Sequence, residues 1–171
     1  MYYFMTASKD ATIYKQQETQ NSGLDEVLEI SKTYVGSLLD IAHTLIKFET
    51  STVASLISNG EVTASSVELI LRECESDAVQ TEYSVYAYPV SQSWEMGLGT
   101  RFDDVTVNGV TWNRRRTNTN WLSGSYATGT TGSATGVGGT WYTGSEATQS
   151  FNYQTTDIMM DVSSALSDGI E

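Results

Sequence analysis

Hydrophobic and polar residues alternate along much of this chain, and the alternation predicts strands. Asp10-Ala-Thr-Ile-Tyr14 reads as a short strand, Asn21-Ser-Gly23 as a turn and Val27-Leu-Glu-Ile30 as a second strand. In Thr44-Leu-Ile-Lys-Phe-Glu49 the alternation puts Ile46 and Phe48 on one face, and this face is the one expected in the core. The period then changes. Val53, Leu56 and Ile57 recur at helical spacing, Thr50 or Ser51 can cap the start, and Gly60 stands where a left-handed C-terminal residue belongs. A two-turn helix is expected over about 51–58.

Alternation returns at Val67–Arg72, with Val67, Leu69 and Leu71 inward, and at Tyr83–Val90. Residues 122–150 are nearly all Gly, Ser, Thr and Tyr and hold seven of the fourteen glycines. Such a stretch buries too little to offset its ordering entropy, so it reads as a long loop or a weak ribbon, pinned at one point by Trp141-Tyr142. Ser150–Tyr153 and Asp157–Val162 read as strands, and a last helical turn is capped by Asp161 and closed at Gly169. The sum is a mainly β chain. It is expected to form one antiparallel, jelly-roll-like β-sandwich domain over 1–171, with one or two short helices.

Composition narrows the function. A chain of 171 residues is long enough to bury a core. Ten Tyr, four Trp and four Phe against one Pro favour strands. The net charge of −12 argues against nucleic acid as the main partner, because phosphate binding needs clustered Lys and Arg. The single cysteine, Cys74, excludes an internal disulfide, and its Leu69-Ile-Leu71 neighbours suggest a thiol at least half-buried. No segment approaches the length of a membrane span, so no membrane partner is expected. The apolar start, Met1–Met5, is too short for a signal peptide's core, and the chain does not read as Sec-exported.

Candidate chemistry is sparse. Trp94, Trp112, Trp121 and Trp141 could form an aromatic platform for sugar rings or an interface, although a Trp in a Gly-rich loop more often anchors the loop to the core. Tyr86 and Tyr88 share one strand face, where packing is the expected role. Asp10, Asn21 and Glu26 supply hard oxygen atoms near the first turn and are the candidates for a structural Ca²⁺, although their spacing matches no fixed template. No other cofactor is expected. Asp103 and Asp104 are adjacent, so on a strand they would point apart. Arg114-Arg-Arg116 is the one basic run, suited to an acidic neighbouring subunit or to solvent. His43 has no partner Cys and no Ser in a nucleophile elbow, so no triad is supported. Glycine-loop and metal-motif signatures are absent, and the chain reads as a protein that is not an enzyme.

Six motifs in order resemble the DNRLRE-type domain, a β-sandwich related to carbohydrate-binding modules. They are Asp10-Ala11, the Asn21-Ser-Gly23 turn with Leu28-Glu-Ile30, Leu45-Ile-Lys-Phe-Glu49, and Ser66–Leu71. The paired loops Ser93-Trp-Glu-Met-Gly-Leu-Gly99 and Gly109-Val-Thr-Trp-Asn113 follow, and Asp161-Val-Ser-Ser-Ala-Leu166 closes the set. The version with Ser93–Gly99 and Gly138-Gly-Thr-Trp-Tyr142 is similar to small structural proteins of marine contractile-tailed bacteriophages. The resemblance implies a non-enzymatic virion protein of the neck, tail, baseplate, a fibre or the capsid decoration. It would be assembled in the bacterial host cytoplasm and would work in multiple copies, or as a homo-oligomer, through interfaces with other virion proteins. The alternative it implies is a carbohydrate-binding module adhering to host-surface glycans. The family's closing helix and last strand have no counterpart before Glu171, so they are lost, supplied by a partner, or outside this sequence. An open sheet edge is therefore expected around 157–171.

Overall fold

The computed structural model describes residues 2–61, 63, 66–75, 82–106, 108–122, 138–152 and 157–167. In chain order its elements are β1 (Ala7–Tyr14), β2 (Ser31–Val35), β3 (Leu38–Phe48), α1 (Ser51–Ser58), β4 (Glu68–Arg72), β5 (Tyr83–Ala87), β6 (Arg114–Arg116), β7 (Thr119–Asn120), β8 (Ala147–Phe151), β9 (Asp157–Asp161) and α2 (Ser163–Ser167). The protein is mainly β, and its sheets are antiparallel: β1-β3-β2, β4-β9, β5-β8 and β6-β7. The sequence reads as one domain over 1–171. The chain divides into two compact units, Met1–Glu49 with Val90–Trp141 and Thr50–Pro89 with Tyr142–Glu171.

In the first unit β3 lies between β1 and β2. Ala11 stands opposite Leu45, and Ile13 opposite His43. This face meets Trp94, Val110, Trp112 and Trp121 in a buried cluster, with Ile41, Val90 and Met96 at its margin. The expected face of β3 is therefore reversed: Leu45 is buried, whereas Ile46 and Phe48 are half-buried on the other side. The local alternation from 44 to 49 is real, but both faces carry apolar residues, and Trp94, Trp112 and Trp121 decide which is the core. Leu45→Ala is expected to destabilise by about 2–5 kcal/mol and Phe48→Ala by clearly less, read from denaturant midpoints.

The opposite face is also covered near its middle, where Thr12, Tyr14 and Ala42 are buried. The 20–30 loop lies over it. The Ser22 hydroxyl accepts the Thr12 N–H and donates to the Thr12 carbonyl. The Thr12 Oγ1 accepts the Glu29 N–H at 3.0 Å, and the Thr44 hydroxyl donates to the Glu29 carbonyl at 2.9 Å. Both backbone groups of Glu29 are thus satisfied by side chains on a sheet face. This is why Val27–Ile30 is not the strand its sequence suggests, and why pairing starts at Ser31.

In the second unit, α1 occupies the predicted span. The Gly60 N–H reaches the Ile57 carbonyl and the Glu61 N–H the Leu56 carbonyl, the double bond pattern of a Schellman end. Thr50 is the N-cap residue, without a side-chain capping bond. On β4, Leu69 and Leu71 are more covered than Glu68, Ile70 and Arg72, as the alternation predicts. Cys74 continues the outward parity of Ile70 and Arg72 and is exposed, contrary to the covered thiol expected from its neighbours.

β8, Ala147–Phe151, is a strand inside the segment read as loop over 122–150. Of the rest of that expectation, 138–146 carry only isolated bridges and 123–137 lie outside the described residues, as does the closing Gly169. Val85, Ala147, Phe151 and Met160 form this unit's core. Gln149 sits between Ala147 and Phe151 on the same face of β8. Its amide donates to the Asp157 carbonyl at 3.1 Å and accepts the Met159 N–H at 2.6 Å. One side-chain amide thus does for β9 what a neighbouring strand's peptide would do. The edge expected to be open around 157–171 is filled at this point from within the chain.

Candidate functional site

The sequence's most distinctive residues converge on one side chain, Asn21, which is fully buried. Its Nδ2 donates to the carbonyls of Met96 and Val110, each at 2.7 Å. Its Oδ1 accepts the Gly99 N–H at 2.8 Å and the Gly23 N–H at 3.3 Å. All the hydrogen-bonding capacity of the amide is used. The Asn21 turn, the Trp94–Gly99 loop and the Gly109–Asn113 loop are thereby joined backbone to side chain. The glycines follow from this closeness. Gly97 (φ +84) and Gly109 (φ +87) hold left-handed backbone, and a Cβ on either would strike Asn21 or the facing glycine.

The tryptophans complete the joint. Trp94, Trp112 and Trp121 are 5%, 7% and 3% exposed, and the Trp121 indole N–H donates to the Thr111 carbonyl at 3.1 Å. A sugar-stacking platform needs an open ring face, so these three anchor loops instead. Trp141 is half-buried and forms an isolated bridge with Val90. Lys9 lies over the Trp94 ring and donates to the Trp94 carbonyl. Burial, and then the nearby Lys47, push the Lys9 ammonium below its ordinary pKa.

The calcium candidates do not assemble. Asn21 has spent its carbonyl oxygen on two N–H donors, Asp10 is half-buried on β1, and Glu26 is exposed. Arg114–Arg116 is β6, one arm of a hairpin with β7 whose turn holds Asn118 at φ 57. Arg115 donates to the Ser93 carbonyl at 3.0 Å, and its own carbonyl accepts the Glu95 N–H at 3.0 Å, so the basic run braces the Trp94 loop. A residue without a sequence signal is Arg101. It is ion-paired with Glu29, its N–H reaches the Asp25 carboxylate, and its guanidinium lies 4.4 Å from the Tyr14 ring centre.

His43 lies on the core face of β3, its ring 5.0 Å from that of Trp112 and edge-on to Trp141. Its Nδ1 is 2.9 Å from the Gly138 carbonyl, so Nδ1 carries the proton and donates. Burial lowers its pKa below the ordinary value. The unfolded chain therefore binds the proton more tightly than the native one. Stability is expected to fall as pH drops through about 6.5 towards the lower native value, then level off. His43 is the only histidine, so one imidazole titration in NMR reads the native pKa directly. Denaturation midpoints of wild type and His43→Gln across pH 8 to pH 5 isolate its share; parallel curves would refute the assignment.

The Tyr86 and Tyr88 rings face outward side by side. Tyr86 and Tyr88 are 54% and 38% exposed, and their rings are nearly parallel with centres 6.1 Å apart. Thr148 stands opposite Tyr86, and the Glu146 charge, after burial, helps raise the Tyr88 pKa. No family model, curated protein or solved structure matches this chain.

Proposed function

We propose that this chain is a non-enzymatic structural protein of a tailed-bacteriophage virion, of DNRLRE-type ancestry, that works through protein–protein interfaces. The observation that carries the reading is the Asn21 joint. Two of the motifs on which the resemblance rests, the Asn21 turn and the paired Trp94 and Trp112 loops, are far apart in sequence and meet at one buried amide. This is how a family's signature behaves when it specifies a scaffold. The β-sandwich belongs to the same reading. Its support is a sheet that buries its Ala11–Leu45 face under three tryptophans, and in the second unit two strand pairs sharing one core. The exposed Tyr2 and Phe4, 90% and 82% open, and Phe102, 89% open, are consistent with surfaces that neighbours cover. Quantitative mass spectrometry of gradient-purified particles from cells carrying the gene tests the reading. The chain is expected at a fixed multiple per particle. Its presence in the lysate but not in washed particles would overturn it.

The second reading is a glycan-binding module, and the Tyr86–Tyr88 pair favours it, since open aromatic rings beside hydroxyl and carboxylate groups suit a sugar. A glycan array with wild type and Tyr86→Ala decides. Binding lost on substitution would promote this reading, and an array without signal would remove it.

A further inference from the structure

The outer edge of β2 is the most open strand surface among the described residues. Lys32, Thr33, Tyr34 and Val35 are all exposed, with Tyr34 at 72%, Val35 at 64% and the facing Leu38 at 60%. Val35 and Leu38 flank a two-residue turn, so they must exchange both backbone hydrogen bonds. Bonding then alternates along the unshifted register: Val35, Thr33 and Ser31 turn their N–H and C=O groups to β3, and Lys32 and Tyr34 turn theirs outward. This is a bare edge of the kind that accepts a further strand.

We infer that β2 docks against β2 of a second copy, the two strands running antiparallel about a two-fold axis at Thr33. A two-fold at Thr33 is the register that pairs both outward residues within the strand itself. Lys32 of one copy bonds opposite Tyr34 of the other, twice, with each ammonium beside a phenol ring, and Thr33 meets Thr33 as the non-bonded pair between them. Like charges do not face each other. Charge also selects this place on the molecule. Each copy carries −12, so copies repel, yet positions 31–39 hold no carboxylate and one Lys. The pairing covers Tyr34 on one face and flanks Val35 on the other, and it joins two three-stranded sheets into one of six strands. The inference does not depend on the virion reading.

Single cysteines at 32, 33 and 34, each in a Cys74→Ser background, test the register. Thr33→Cys is expected to cross-link quantitatively under mild oxidation, because a non-bonded antiparallel pair has Cα atoms about 4.5 Å apart, within disulfide reach. Lys32→Cys and Tyr34→Cys are offset by two residues from their symmetry mates, roughly 8 Å, and are expected to cross-link weakly. Sedimentation of the wild type at micromolar concentration is expected to give twice the chain mass. Tyr34→Pro, which removes an outward N–H and the phenol but no hydrogen bond to β3, is expected to sediment as a monomer with an unchanged circular dichroism spectrum. A wild-type monomer at high micromolar concentration, equal cross-linking at all three positions, or a Tyr34→Pro dimer would each overturn the pairing. A monomer that is still found in particles would overturn it while leaving the virion reading in place.

Discussion

Asn21→Ala is expected to destabilise the protein by about 3–9 kcal/mol, a large part of the roughly 5–15 kcal/mol typical of a domain. Alanine keeps the turn but strands the carbonyls of Met96 and Val110 and the N–H of Gly99, all tied to this amide. Each stranded buried group costs about 1–3 kcal/mol. Asn21→Asp separates hydrogen bonding from shape. A carboxylate of the same size presents oxygen to two carbonyl oxygens, so at neutral pH the variant is expected to be no more stable than Asn21→Ala. Acidification protonates the carboxyl, returns one donor, and is expected to narrow its deficit relative to wild type. Denaturant unfolding at pH 7 and pH 4.5 measures both. A loss under 1 kcal/mol for Asn21→Ala would mean that the two Trp loops hold their places without the amide.

This joint shows what local patterns carry and what they omit. The Asn-x-Gly turn, the Gly-rich Trp loops and the short strands are legible because each is encoded by neighbours in the chain. That the first two converge is a tertiary fact. A buried Asn that satisfies four groups looks the same in sequence as an exposed turn Asn, or a calcium ligand. The tryptophans could be read as loop anchors because an indole in a Gly-rich loop has few other ways to bury its area. The helix over 51–58 was legible to the residue, since its spacing and its terminal Gly60 are local.

Failures cluster where two elements compete for the same pattern. Val27–Ile30 has strand composition, but its Glu29 lies over Thr12 and Thr44, whose hydroxyls take the bonds a neighbouring strand would have made. Ile46 and Phe48 alternate with Lys47 and Glu49, which makes theirs look like the inward face; both faces of β3 are apolar, and the Trp cluster lies on the Leu45 side. Gln149 carries no local signal for a related reason. A polar residue on an apolar strand face reads as an error in the alternation, until its amide is seen to complete β9. In each case the missing information is the identity of a partner distant in sequence.

Trp112→Ala distinguishes the anchoring role from a ligand platform. The ring is 7% exposed, and it stands against His43 on one side and the Gly138 backbone on another. Its loss is expected to destabilise by about 3–5 kcal/mol, since a cavity that size cannot collapse around a strand and two tied loops. A second readout follows from His43. The imidazole's low pKa comes first from burial, and Trp112 supplies much of the covering surface. Opening that side lets water reach the ring, so the single histidine resonance in Trp112→Ala is expected to titrate closer to the ordinary value, and the pH dependence of stability near 6 to shrink with it. The Gly138 N–H, bonded to the Trp112 carbonyl at 2.6 Å, is expected to exchange faster with solvent as the ring that wedges Gly138 in place is removed. A platform residue would give the opposite set of results: near-wild-type stability, an unmoved histidine titration and a defect visible only with ligand. Unchanged stability together with an unchanged titration would show that Trp112 is not part of the core that fixes this sheet.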